Sequence, residues 1–139
     1  MPNILTDVNV VKNKRVERDS IWISHSRDRH IIKLTANMLR FRDKDTRQII
    51  FYIPSIDISG YGENEDKAME LLNFSVNEYF SYLRGLSQKM LDKELLSFGW
   101  EKTKDKKKEF SKSFVDGDGN LRSFNAVAGE VERLTVQAI

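Results

Sequence analysis

The chain has 139 residues, of which 40% are hydrophobic, 10% aromatic and 32% charged, the size and composition of one ordinary globular domain. Lys and Arg number 23 against 21 Asp and Glu, so the formal net charge of +2 provides no bulk field that would select nucleic acid or an anionic membrane. The absence of cysteine excludes a disulfide framework, a thiolate nucleophile and Cys-ligated zinc or iron–sulfur centres, and with 2 His residues no metal or other cofactor is expected.

No run approaches the ~20 apolar residues of a membrane helix. Residues 1–20 are polar where a secretory signal needs an apolar stretch, so a soluble, cytoplasmic protein with no membrane partner is expected.

Residues 1–19 carry the charged run Lys12-Asn13-Lys14-Arg15-Val16-Glu17-Arg18-Asp19 without a sustained period, and read as a loose arm with at most a short strand at 8–11. A single domain at 20–139 follows. Ile21-Trp22-Ile23 is β-prone, and Ile32, Leu34, Ala36 and Met38 alternate with Lys33, Thr35 and Asn37 as in a half-buried strand; the alternation breaks around 39–41. Polar Arg42-Asp43-Lys44-Asp45-Thr46 before an apolar run at 48–53 predicts a hairpin, which Pro54 stops. Ile56 and Ile58 alternate with Asp57 and Ser59, predicting a short strand that ends in a turn at Gly60-Tyr61-Gly62.

Asn64 suits an N-cap, Glu65 and Asp66 suit the positive end of a helix dipole, and Ala68, Leu71, Leu72, Val76, Tyr79, Phe80 and Leu83 recur at spacings of three and four. A helix over 65–83 follows, ended by Gly85. A second helix over 86–98 carries Leu86, Met90, Leu91, Leu95 and Leu96, with Gly99 as its stop, and strands are expected within 100–139. Strands, two helices, then strands indicate an α+β domain whose antiparallel sheet is covered on one face.

Chemistry-bearing groups are few. His25 and His30, with Arg27 and Arg29 between them, have the residue types of general acid–base attack on a phosphodiester, but two histidines at the mouth of a strand need no such role. Asp116-Gly117-Asp118-Gly119-Asn120 opens like a calcium loop, yet Leu121 and Val127 occupy the positions of its glycine and bidentate glutamate, so it reads as a turn. No catalytic residue is assigned. Lys102, Lys104, Lys106, Lys107, Lys108 and Lys112 interleave with Trp100, Phe110 and Phe114, the mixture that neutralises phosphates and stacks unpaired bases; Glu101, Asp105 and Glu109 dilute it, and a solvated edge strand has the same composition.

Residues 48–83 form a more specific unit: an apolar strand, Pro54, Ile56-Asp57-Ile58, Gly60-Tyr61-Gly62, then Asn64 and Ala68 opening the helix. This resembles the core of the HicB-like antitoxin family, in which a glycine turn leads to a capped helix with a small residue in its first turn. Gly62 and Ala68 keep the family spacing, Glu63 stands for Asp and Asn64 for Thr, while Ile58-Ser59-Gly60-Tyr61 replaces Leu-Pro-Gly-Cys. No helix-turn-helix or ribbon-helix-helix pattern follows Gly99, although residues 132–137 resemble the opening strand of the latter. Residues 91–110 also resemble the helix-to-strand passage of the partner toxins, without the histidine those toxins use for cleavage.

The resemblance implies a HicB-like, partial RNase H-like core at about 30–84 and a non-enzymatic role: an orphan or divergent antitoxin that masks a small RNA-targeting toxin and self-associates through a sheet edge or the second helix. The alternative is a small RNA-binding protein that uses the lysine and aromatic C-terminal hairpin.

Overall fold

A computed structural model describes residues 7–12, 14–26, 29–103, 106–113, 124, 126–127 and 130–139, with the backbone alone at 25–26, 29, 106–108 and 113. The chain forms one α+β domain in the order β1 (Val8–Val11), β2 (Arg18–Ser26), β3 (Arg29–Arg42), β4 (Ile49–Ile53), a 3-10 turn (Pro54–Ile56), β5 (Ile58–Gly62), α1 (Glu65–Arg84), α2 (Gln88–Ser97), β6 (Glu101–Thr103), β7 (Lys106–Ser113) and β8 (Glu132–Ala138). Its open antiparallel sheet runs β1-β8-β3-β2-β7-β6, with β4 and β5 branching from β3.

The fourteen-residue β3 organises the sheet. Leu34 pairs with Ile21 of β2 and with Ala138 of β8, so those strands lie on opposite edges of β3; Leu39 pairs with Tyr52 of β4 and Arg133 of β8. Strands β2 and β4 therefore share one edge of β3, end to end. The segment read as a loose arm contributes β1, which pairs with β8, and the start of β2. Asp7 and Ile139 exchange backbone hydrogen bonds, so the two ends of the described chain meet.

Ile32, Leu34, Ala36 and Met38 of β3 pack into the main core with Ala68, Leu72, Val76, Phe80 and Leu83, the one-sided stripe of α1, and with Leu91 and Leu95 of α2. The break in alternation at 39–41 does not end the strand. Leu39 and Phe41 are buried with Tyr52 in a second cluster against Phe124 and Ala126, with the Phe124 ring 5.2 Å from Phe41 and 4.7 Å from Tyr52. At this end the sheet is covered on both faces, which corrects the expectation of a single covered face.

The expected hairpin forms. The Asp43 carboxylate accepts from the Thr46 backbone N–H and hydroxyl, which holds its carboxyl below the ordinary carboxylate range. After β4, Ile56 lies in the 3-10 turn and Asp57 in the left-handed region at φ 53°, with its carboxylate accepting from the Tyr52 hydroxyl at 2.9 Å. The Asn64 side chain accepts from the Lys67 N–H as the helix cap. Gly85 ends α1 in right-handed geometry, Ser87 caps α2, and Gly99 takes a φ of 89° beyond it.

Gly60 is not a turn residue. Both Gly60 and Gly62 lie inside β5, facing α1, and a Cβ at Gly60 would stand 2.4 Å from the Leu72 nitrogen and 2.5 Å from the Ala68 carbonyl oxygen. A Cβ at Gly62 would stand 2.5 Å from the Lys67 Cβ. Helix and strand approach too closely for a side chain between them. Gly60→Ala is expected to cost about 3 kcal/mol or more, because the atoms in the way are backbone. Gly85 has right-handed dihedrals and no contact for an added Cβ under 3.5 Å, so Gly85→Ala is expected to stabilise by about 0.4–1 kcal/mol. Urea unfolding of the two variants checks the contrast.

Candidate functional site

The residues singled out in the sequence separate into three places. Gly60, Gly62, Asn64 and Ala68 come together at the β5–α1 junction described above. Beside it, a groove of about 500 Å³ wraps the edge of β5, lined among others by Tyr61, Leu71 and Phe74 and by Glu63, Lys67 and Glu70. Tyr61 is 55% and Phe74 62% exposed, and the two rings line one groove. Among the described residues strand β5 pairs only with β4, so its other edge offers backbone groups beside these rings.

The described side chains of the lysine and aromatic stretch, Trp100, Lys102, Phe110 and Lys112, are engaged within the fold. Trp100 and Phe110 are 1% and 2% exposed and belong to the main core, so neither presents a ring face on which a base could stack. Lys112 is pinned: its ammonium donates to the carbonyls of Phe98 and, at 3.3 Å, Ser55, which closes the end of α2 and ties β7 to the 3-10 turn. Burial holds that ammonium below the ordinary lysine range. Lys102 donates to the Asp92 carboxylate at 2.8 Å, an exposed link between β6 and α2. Lys106, Lys107 and Lys108 lie in β7, while Lys104, Phe114 and the 116–120 segment lie outside the described residues.

His25 and His30 are register partners across the β2–β3 hairpin. His30 is buried, and its Nε2 donates to the Leu86 carbonyl at 3.1 Å, joining the hairpin to the connection between the helices. That places it as a packing residue. Among the described residues no group of three or more His, Asp or Glu side chains is arranged to hold a metal ion. No helix among them is long and apolar enough to cross a membrane.

One buried polar assembly had no signature in the sequence. Where β2 leaves the edge of β3 and β4 has not yet begun, the Asp19 carboxylate accepts from the Asn37 backbone N–H at 3.0 Å and from Asn37 Nδ2 at 2.7 Å. Asn37 Oδ1 accepts from Arg133 Nε at 2.6 Å, and Arg133 Nη2 donates to the Val16 carbonyl at 2.6 Å. Asp19 and Asn37 are both buried, and desolvation raises the Asp19 carboxyl above its ordinary value against the opposing bonds from Asn37. Residues 117 positions apart meet here, which no local pattern encodes.

No family model, curated protein or solved structure matches this chain.

The assembly generates a pH prediction. A carboxyl whose folded value is raised binds its proton more tightly in the folded state, so its contribution to stability falls as pH rises from 3.8 through the folded value. Both bonds from Asn37 end on Asp19 Oδ1, which an amide can reproduce. Asp19→Asn is therefore expected to stay within about 1 kcal/mol of the parent at neutral pH and to gain on it as pH rises from about 4. Asp19→Ala leaves the buried Asn37 N–H unpaired and Asn37 Nδ2 with the Val16 carbonyl alone, and is expected to cost about 1–3 kcal/mol. Denaturant unfolding of the three proteins across this pH range is the measurement.

Proposed function

We propose that this chain is a non-catalytic interaction protein, a divergent HicB-like antitoxin that covers the RNA-binding surface of a small toxin. The observation that carries the reading is the groove at the β5–α1 junction. Exposed Tyr61 and Phe74 flank a strand edge with no ladder partner among the described residues, and Glu63 and Glu70 line the same groove.

Its chemistry suits that partner. A surface that binds RNA is basic, and a masking protein must offer apolar contact at the centre with carboxylates around it. Glu63, Glu65 and Asp66 cluster at the start of α1, where exposed acids also favour the helix dipole. A strand edge adds backbone pairing to a partner's sheet, with the flanking rings supplying packing. The Gly60, Gly62 and Ala68 contact supports the resemblance independently, since it gives the family-like spacing a packing reason. Self-association belongs to the same proposal, with exposed Met90, Leu96 and Phe98 on and after α2 as its surface.

RNA binding through the C-terminal hairpin has less support, because Trp100 and Phe110 are core residues and Lys112 is engaged with carbonyls.

The test is co-purification with the product of the neighbouring reading frame, where that frame encodes a short, histidine-bearing protein of RNA-binding type. A complex is expected, and Glu63→Lys with Phe74→Glu is expected to weaken it by at least about tenfold while leaving the unfolding midpoint unchanged. No complex, or a complex indifferent to both substitutions, would refute the assignment.

A further inference from the structure

A second groove, of about 500 Å³, lies at the opposite end of the sheet, between the segment that follows β1 and the start of β8. Apolar Val10, Val11 and Leu134 line it, and so do Lys12, Lys14, Arg15 and Arg133, with no carboxylate among its described lining residues. Four cations gather here in a chain whose whole formal charge is +2.

The backbone is held at Lys14 and Val16. The Thr135 hydroxyl donates to the Lys14 carbonyl at 2.6 Å, and Arg133 ties the Val16 carbonyl to Asn37. Lys12, Lys14 and Arg15 are exposed and form no ion pair among the described residues. Holding unpaired cations side by side beside an apolar strand edge raises mutual repulsion, which a bound anion relieves.

We propose that this groove binds the phosphodiester backbone of a single-stranded nucleic acid. Lys12, Lys14 and Arg15 line the same groove and can meet the phosphates of one strand, and exposed Val10 beside them offers apolar area to a base. The volume of about 500 Å³ admits a nucleotide-sized portion of one strand. This site lies apart from the toxin-facing groove and needs no toxin, so the two proposals fail independently.

The experiment is fluorescence anisotropy of labelled oligouridylate and oligothymidylate, about ten nucleotides long, with the full chain at about 50 mM salt and then up to about 200 mM. Both strands are expected to bind, with a log–log salt slope near about −2 for three phosphate contacts. Lys14→Glu with Arg15→Glu, or the milder Lys12→Gln with Lys14→Gln, is expected to weaken binding by at least about tenfold and about threefold respectively, with unchanged unfolding midpoints. Lys106→Glu with Lys107→Glu is expected to leave it intact. Absence of binding at the lower salt, loss only with the Lys106 and Lys107 changes, tighter binding of a duplex of equal length, or equal displacement by polyglutamate would each overturn the proposal.

Discussion

The backbone of α1 lies directly against the backbone of β5 at Gly60 and Gly62, with no side chain between them. The rest of the domain depends on that approach. Among the described strands β5 pairs with β4 alone, and β4 with the last residues of β3, so the contact with α1 is the second support that fixes β5 beside its ladder to β4. With the first turns of α1 pressed onto β5, its stripe from Ala68 to Leu83 joins Ile32, Leu34, Ala36 and Met38 of β3 in the main core. A side chain at either glycine would lift the helix and open a gap along the main core.

A second constraint is the shared edge of β3. Two strands that end and begin along one edge leave a stretch whose backbone donors have no ladder partner, and buried donors without partners cost stability. Asp19 fills that stretch by accepting the Asn37 N–H, and Asn37 passes the network on to Arg133 and the segment after β1. The same bonds that satisfy the gap also order the backbone under Lys14 and Arg15. Polar groups spent on the fold thus position cations at the surface.

Local pattern made much of this legible. The alternation over 32–38, the stripe of α1, the Asn64 cap and the left-handed Gly99 all follow from rules that act within a few residues. Four features did not. Gly60 and Gly62 look alike in a turn or in a close contact, since glycine serves both, and only the neighbour across the gap distinguishes them. Leu39 and Phe41 broke the alternation because a second apolar layer covers their face, and that layer comes from residues far along the chain. Trp100 and Phe110 are aromatic residues in a lysine-rich stretch, where composition suggests a stacking surface and packing makes them core. The cationic groove joins a segment read as a loose arm to a strand near the other end of the chain.

Function on this account rests on placement more than on reactive groups: an acidic, aromatic groove on one edge of the sheet and a basic one on another. The first exists only because glycine brings β5 under α1. Nuclear Overhauser contacts from the Gly60 α-protons to the Leu72 amide and from the Gly62 α-protons to the Ala68 amide test that claim most directly, since they report the approach without any substitution. The account predicts strong contacts to both amides; Gly60 α-protons that see only the neighbouring strand β4 would contradict it.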